Sequence, residues 1–203
     1  MSFLFEHKIP TEYRNAFLTK AMEVARDLGI PVNWLLGVIE LETAGTFSPS
    51  ITNSIGATGL IQFMPSTALG LGTTTARLRQ MSAVDQLDYV KKYYWPYRSK
   101  IKQYADLYIA TLFPVAIGKP NDYVLQTKSL SAKKIAAANP LFDLDKNQEI
   151  TVGEIRHKVL QRIPEELLDL VLQKKNPNWI VRNISRFKLG GRLLNSPQKK
   201  ARK

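Results

Sequence analysis

The sequence predicts an all-α or predominantly α chain. Apolar residues recur at helical spacing through most of its length, helix-start and helix-stop residues flank those runs, and no series of alternating strands separated by turns stands out. With 203 residues and 44% apolar composition, the chain is long enough to bury a core, and disorder is expected only at its ends.

The first helix is expected over Tyr13 to Leu28, with Thr11 as N-cap, Gly29 as stop, and Phe17, Ala21, Val24 and Leu28 on one face. Pro31 fits the first turn of a second, whose apolar Val32, Leu35, Leu36, Val38 and Ile39 predict a buried segment ending near Glu42. A loop containing Gly45, Pro49, Asn53, Gly56 and Gly59 leads to an apolar turn, Leu60 to Met64, stopped by Pro65. Ser66 to Gly72 reads as a short helix. The capping-box spacing of Ser82 and Asp85 starts a long one reaching Tyr94. Ile101 to Ala116 is an apolar segment interrupted by Pro114. Beyond Pro120 the texture becomes more polar, with helices expected at Ser131 to Ala138, Val152 to Ile163 and Glu165 to Val171. The division predicted is a core over 1–120, a helical extension over 121–186 and a basic tail over 187–203.

The formal charge of +12 and pI near 9.9 imply an anionic partner: nucleic acid, an acidic membrane surface or a wall polymer. Lys188, Arg192, Lys199, Lys200, Arg202 and Lys203 meet no acid in the tail, which reads as a contact arm or a frayed end. The chain has no cysteine, so disulfides and thiolate metal sites are excluded, and His7 and His157 are too isolated for a zinc site. The opening residues do not read as a signal peptide, and no apolar run approaches a membrane span. Specific nucleic-acid binding is not expected, because no helix-turn-helix, zinc or single-strand motif accompanies the basic residues.

Two glutamates end the second predicted helix. Glu40 and Glu42 are two residues apart, so their side chains leave the helix in different directions. Glu42 follows Val38, Ile39 and Leu41 and precedes the Gly-rich loop, a position suited to a carboxyl whose pKa burial raises for general-acid work. Glu40 is expected on the helix face, solvated or paired. The bland alternative makes both glutamates ordinary polar-face residues, tied to Arg14 or Arg26 of the first helix. Most glycosidases need a second carboxylate, yet no acid occurs from Thr43 to Val84. Unless Asp85, Asp88 or Asp106 folds into place, Glu42 must act as acid and then base, with a nucleophile drawn from the substrate itself.

Glu42-Thr-Ala-Gly-Thr-Phe-Ser-Pro49, Asn53-Ser-Ile-Gly-Ala-Thr-Gly-Leu-Ile-Gln62 and Phe63-Met-Pro-Ser-Thr67 together resemble the signature of the soluble lytic transglycosylase domain, a relative of goose-type lysozyme. The resemblance implies a lysozyme-like core that cleaves the β-1,4 bond between N-acetylmuramic acid and N-acetylglucosamine in peptidoglycan, leaving a 1,6-anhydromuramoyl end. It implies that Glu42 is the acid/base, with Thr43, Asn53 and Gln62 contacting substrate. Leu60 and Phe63 are expected in the core. One element departs from the family pattern: Ala110-Thr-Leu-Phe-Pro-Val-Ala116 stands where a tyrosine motif is usual, leaving Phe113, Tyr104 or Tyr108 to line that part of the site. The variant favours a phage-type enzyme, carried in the virion or held in the host cytoplasm until lysis and acting on the wall. Its expected partners are peptidoglycan and either tail or other virion proteins or a holin. A structural or wall-binding virion protein is the alternative.

Asp143-Leu-Asp-Lys-Asn-Gln-Glu-Ile-Thr-Val-Gly-Glu154 resembles an EF-hand calcium loop. Asp143, Asp145, Asn147, the Glu149 carbonyl, Thr151 and Glu154 are the candidate oxygen ligands, with Ile150 at the eighth position of the loop. Gln148 stands where glycine is normal, which sets a structural calcium ion against a metal-free loop whose acids cap a helix.

Overall fold

The computed structural model describes residues 2–172; the basic tail and the last part of the predicted extension lie outside them. Among the described residues the chain is helical, with isolated bridges at Thr52–Thr58, Thr58–Phe63 and Val124–Thr151 in place of strands. The helices are α1 (Arg14–Leu28), α2 (Val32–Glu42), α3 (Pro65–Gly70), α4 (Thr75–Gln80), α5 (Ala83–Tyr94), α6 (Tyr104–Leu112), α7 (Ala132–Ala138), α8 (Val152–Gln161) and α9 (Leu168–Leu172). None is long and apolar enough to cross a membrane.

α2 is the central helix. Every residue from Val32 to Glu40 is buried, as expected of a segment apolar on most sides. α1, α6 and α9 pack on it, α5 packs on α1, and α8 packs on α6. The apolar residues from Leu125 to Val171 join those of the first 120 in a single buried cluster. The indole of Trp34, at the heart of α2, donates to the Val171 carbonyl at 2.8 Å.

Most helix ends follow the local signals. Gly29 closes α1 in the left-handed conformation at φ 66°, where a side chain is disfavoured. The Ser82 hydroxyl accepts from the Asp85 amide and caps α5. Two expectations are corrected. Thr11 does not cap α1; Tyr13 occupies that position without a side-chain cap, and the Thr11 hydroxyl accepts from Arg14 instead. Pro65 starts α3 rather than only stopping the preceding turn, because its fixed φ suits a first helical position.

Candidate functional site

Glu42 ends α2 and is partly exposed. Its carboxyl is nevertheless pushed up to about 7, chiefly by burial; a hydrogen bond from Tyr108 acts the other way and favours the charged form. Partial exposure with strong desolvation means that the carboxyl is largely enclosed yet still reaches solvent.

The surroundings are tyrosines from two helices. Tyr93 and Tyr94 on α5 and Tyr104 and Tyr108 on α6 all have pKa values raised, mainly by burial, with the Glu42 charge contributing to each. They remain neutral around pH 7, so Tyr108 has an O–H to offer Glu42. The Tyr93 hydroxyl donates to the Ala110 carbonyl at 2.8 Å, and Tyr94 shares a hydrogen bond with Thr111 at 2.6 Å. These contacts hold α5 against the end of α6.

Gly37 explains how α6 comes so close. A Cβ on Gly37 would lie 2.7 Å from the Tyr104 hydroxyl, so only glycine admits that ring against α2. Tyr108 lies one helical turn beyond Tyr104 on α6 and so shares its face. The bare patch on α2 thereby brings a donor to Glu42 further along the same helix.

Glu40 takes the opposite side. It is 4% exposed and pairs with Lys8 at 2.7 Å and Arg162 at 3.5 Å. The pairing expectation holds but its partners do not: Arg14 bonds the Ile9 carbonyl and Arg26 pairs with Asp27. The remote acids are also engaged away from Glu42. Asp85 accepts from Ser82 at α5's start, Asp88 pairs with Lys20 at 2.8 Å, and buried Asp106 binds the Lys102 amide at 3.0 Å and faces Arg156 at 3.6 Å.

The Gly-rich loop is held by a residue that the sequence did not mark. Gln86 on α5 is fully buried; its side-chain oxygen accepts from the Leu60 amide at 2.6 Å, and its amide donates to the carbonyls of Pro49 at 3.0 Å and Leu78 at 2.9 Å. Gly59, at φ 84°, lies so close over this carboxamide that a Cβ would collide with it. The only local hint was a glutamine among the apolar positions of an amphipathic helix.

Within the loop, Gln62 is partly exposed and donates to the carbonyls of Gly59 at 3.1 Å and Ile51 at 3.3 Å. Its amide therefore anchors the loop. Asn53 is exposed, and its side-chain oxygen accepts from the amides of Ile55 and Ala57. Thr43 is fully buried, with its hydroxyl donating to the Ile39 carbonyl at 2.7 Å and accepting from the Phe47 amide at 3.0 Å. It shapes the turn after Glu42. Tyr104, only 3% exposed, packs on Gly37 and forms wall rather than platform. Phe113 follows α6, half-buried against the core, while the hydrogen bond to Glu42 comes from Tyr108. Leu60 and Phe63 are buried as expected, Phe63 edge-on to Tyr93.

Asp143, Asp145 and Glu154 bring carboxylate oxygens within 4.8 Å of one another, close enough to hold a metal ion. Asp143 Oδ2 accepts from the Gln148 amide, while its Oδ1 is buried without a partner. That orphaned oxygen fits a cation. Gln148 adopts φ 70°, the conformation for which glycine is usual, at a cost of about 1 kcal/mol. Asn147 is turned within the loop, its oxygen accepting from the Glu149 amide. Thr151 and Glu154 form a capping box at the start of α8, and the Ile150 carbonyl accepts from Leu125. Burial raises the Glu154 pKa, but hydrogen bonds from Thr151, Leu144 and Asp145 outweigh it and leave it lowered. His157 contacts Gln161 at 2.7 Å and takes no part in the cluster.

A scan against protein-family models and searches of the curated proteins and of the solved structures found no match.

Proposed function

We propose that the chain is a peptidoglycan lytic transglycosylase in which Glu42 is acid and then base. The observation that carries this reading is a partly open carboxyl with its pKa near 7, supported by a neutral tyrosine and with Asp85, Asp88 and Asp106 engaged elsewhere. A carboxyl raised this far exchanges its proton near neutral pH, which suits both proton donation and proton removal. Glu42 protonates the glycosidic oxygen between N-acetylmuramic acid and N-acetylglucosamine as the bond to the anomeric carbon breaks. The C6 hydroxyl of the muramoyl residue then attacks that carbon and gives its proton to Glu42, closing the 1,6-anhydro ring and restoring the acid. Tethering supplies the effective concentration that a free water lacks. Tyr108 holds one carboxylate oxygen and stabilises the anion between the two steps.

Calcium is the cation proposed for the 143–154 loop, because its donors are hard oxygens and Asp143 retains an unpartnered one. Asp143, Asp145 and Glu154 would hold it, and it would cross-link the segment entering the loop to α8. The site of action proposed is the bacterial cell wall, reached from a phage particle or from the host cytoplasm at lysis. The charge of +12 favours anionic wall polymers.

Digestion of purified peptidoglycan by the intact chain and by Glu42→Gln, with products read by mass, tests the reading. Anhydromuramoyl ends from the wild type alone are expected. Reducing ends would replace it with hydrolysis, and the absence of products from both proteins would favour a structural or wall-binding virion protein.

A further inference from the structure

Phe142, immediately before the first acid of the 143–154 loop, is buried and sets its ring 5.4 Å from that of Tyr108 at a tilt of 40°. Tyr108 hydrogen-bonds Glu42. The other end of the loop leads into α8, whose Arg156 faces Asp106 on α6, and Arg162, just past the end of α8, pairs with Glu40 on α2. Both ends of the acidic loop thus reach the helices that build the candidate site.

We propose that Phe142 is a positioning residue that ties the acidic loop to Glu42 through Tyr108, so that a divalent cation held by the loop is felt at the Glu42 carboxyl. The inference rests on the reading of Glu42 as acid/base and of the loop as a calcium site. A cation gathering Asp143, Asp145 and Glu154 constrains the backbone at Asp143, one peptide from Phe142. A ring in a close-packed interior does not move independently of its neighbour, and the Tyr108 hydrogen bond is directional. By linkage, whatever the cation does to the proton affinity of Glu42, the proton does to the affinity for the cation. The titratable groups facing Glu42 are Tyr93 and Tyr94 from α5 and Tyr104 and Tyr108 from α6, all held neutral near pH 7. On its own helix, Glu40 is occupied by Lys8 and Arg162.

The test uses the full chain carrying carboxyl-labelled glutamate, with the Glu42 carbon resonance assigned by its loss in Glu42→Gln. It is titrated across about pH 5 to 9, once with calcium chloride and once with a chelator, while calorimetry measures calcium affinity. The expected result is a calcium-dependent displacement of the midpoint worth about fivefold or more in proton affinity. That displacement collapses in Phe142→Leu, which still binds calcium. Tyr108→Phe keeps a ring beside Phe142 but removes the donor, and must abolish the displacement too; it decides the matter should Phe142→Leu not fold. No calcium binding, calcium binding with an unmoved midpoint, or a displacement that survives both substitutions overturns the proposal. Because no arm measures turnover, a calcium-dependent midpoint in a chain that leaves peptidoglycan uncut would overturn the enzymatic reading alone.

Discussion

Replacing Glu42 with glutamine should stabilise the protein, and only where the carboxyl would otherwise ionise. Its folded pKa is raised from 4.5 to about 7. Below the lower value both folded and unfolded chains keep the proton, and the group contributes no pH dependence. Between the two values the unfolded chain releases its proton while the folded one holds it, so stability falls as pH rises; above the upper value the loss is complete. At roughly 1.4 kcal/mol per tenfold change in proton affinity, the ceiling is about 3 kcal/mol. Glu42 is partly exposed, and solvent screening brings the expected loss to about 2 kcal/mol. Glutamine cannot ionise and keeps an oxygen for Tyr108. At about 2–4 °C per kcal/mol for a chain of this size, the Tm advantage of Glu42→Gln at pH 8 should exceed that at pH 4 by about 4–8 °C. Calorimetry at both pH values measures the difference, in which the lowered carboxyls of Asp27 and Glu154 cancel because both proteins carry them. An advantage of equal size at both pH values would refute the burial argument and remove the basis for Glu42 as a neutral-pH acid.

Tyr108→Phe removes a bond that favours the charged form, so the Glu42 pKa should rise further, moving the high-pH limb of the kcat/KM profile upward by about one pH unit. Gln86→Leu leaves the Leu60 amide and the Pro49 carbonyl without their partner, removes one of the two donors to the Leu78 carbonyl, and should cost about 3 kcal/mol in denaturant unfolding. Gly59→Ala should destabilise as well, and by less in the Gln86→Ala background, where the colliding carboxamide is gone; a double-mutant cycle reads the coupling. Calcium at about 100 times its Kd should stabilise the chain by about 2.7 kcal/mol, with the effect reversed by chelator and largely lost in Asp143→Asn, as followed by thermal unfolding.

What the sequence made legible was local. The Ser82–Asp85 cap and the Gly29 stop act within a few residues, and the apolar texture of Val32 to Ile39 required a buried helix wherever it packed. α4 escaped because a six-residue helix burying only Leu78 has no periodicity to detect. Glu42 stood out against the Gly-rich loop that follows it, whereas its tyrosines arrive from α5 and α6, and Phe142 from a hundred residues away in sequence. Such meetings depend on how helices cross, which composition does not encode. Choosing Lys8 and Arg162 over Arg14 and Arg26 for Glu40 likewise required the packed chain. At Gln148 the residue type argued against a tight loop, yet hydrogen bonds around Asp143 and Asn147 hold it in the left-handed conformation.

Glu40 and Glu42 show how a single helix can give one side-chain type two electrostatic fates. A separation of two residues turns the second side chain by about 200° around the helix, so no environment can serve both. On one side, cations from the N-terminal segment and from the end of α8 compensate the buried charge of Glu40. Removing one leaves part of that charge uncompensated, so the pairs tie the segments around Lys8 and Arg162 to α2. On the other side no cation among the described residues compensates the burial, and the carboxyl answers by holding its proton, with Tyr108 limiting the rise. The ion-paired side joins separate parts of the chain to α2, and the unpaired side supplies a carboxyl whose proton is exchangeable near pH 7. Binding energy and proton affinity are therefore tuned independently on the two faces of α2, although the residues that tune them are neighbours in sequence.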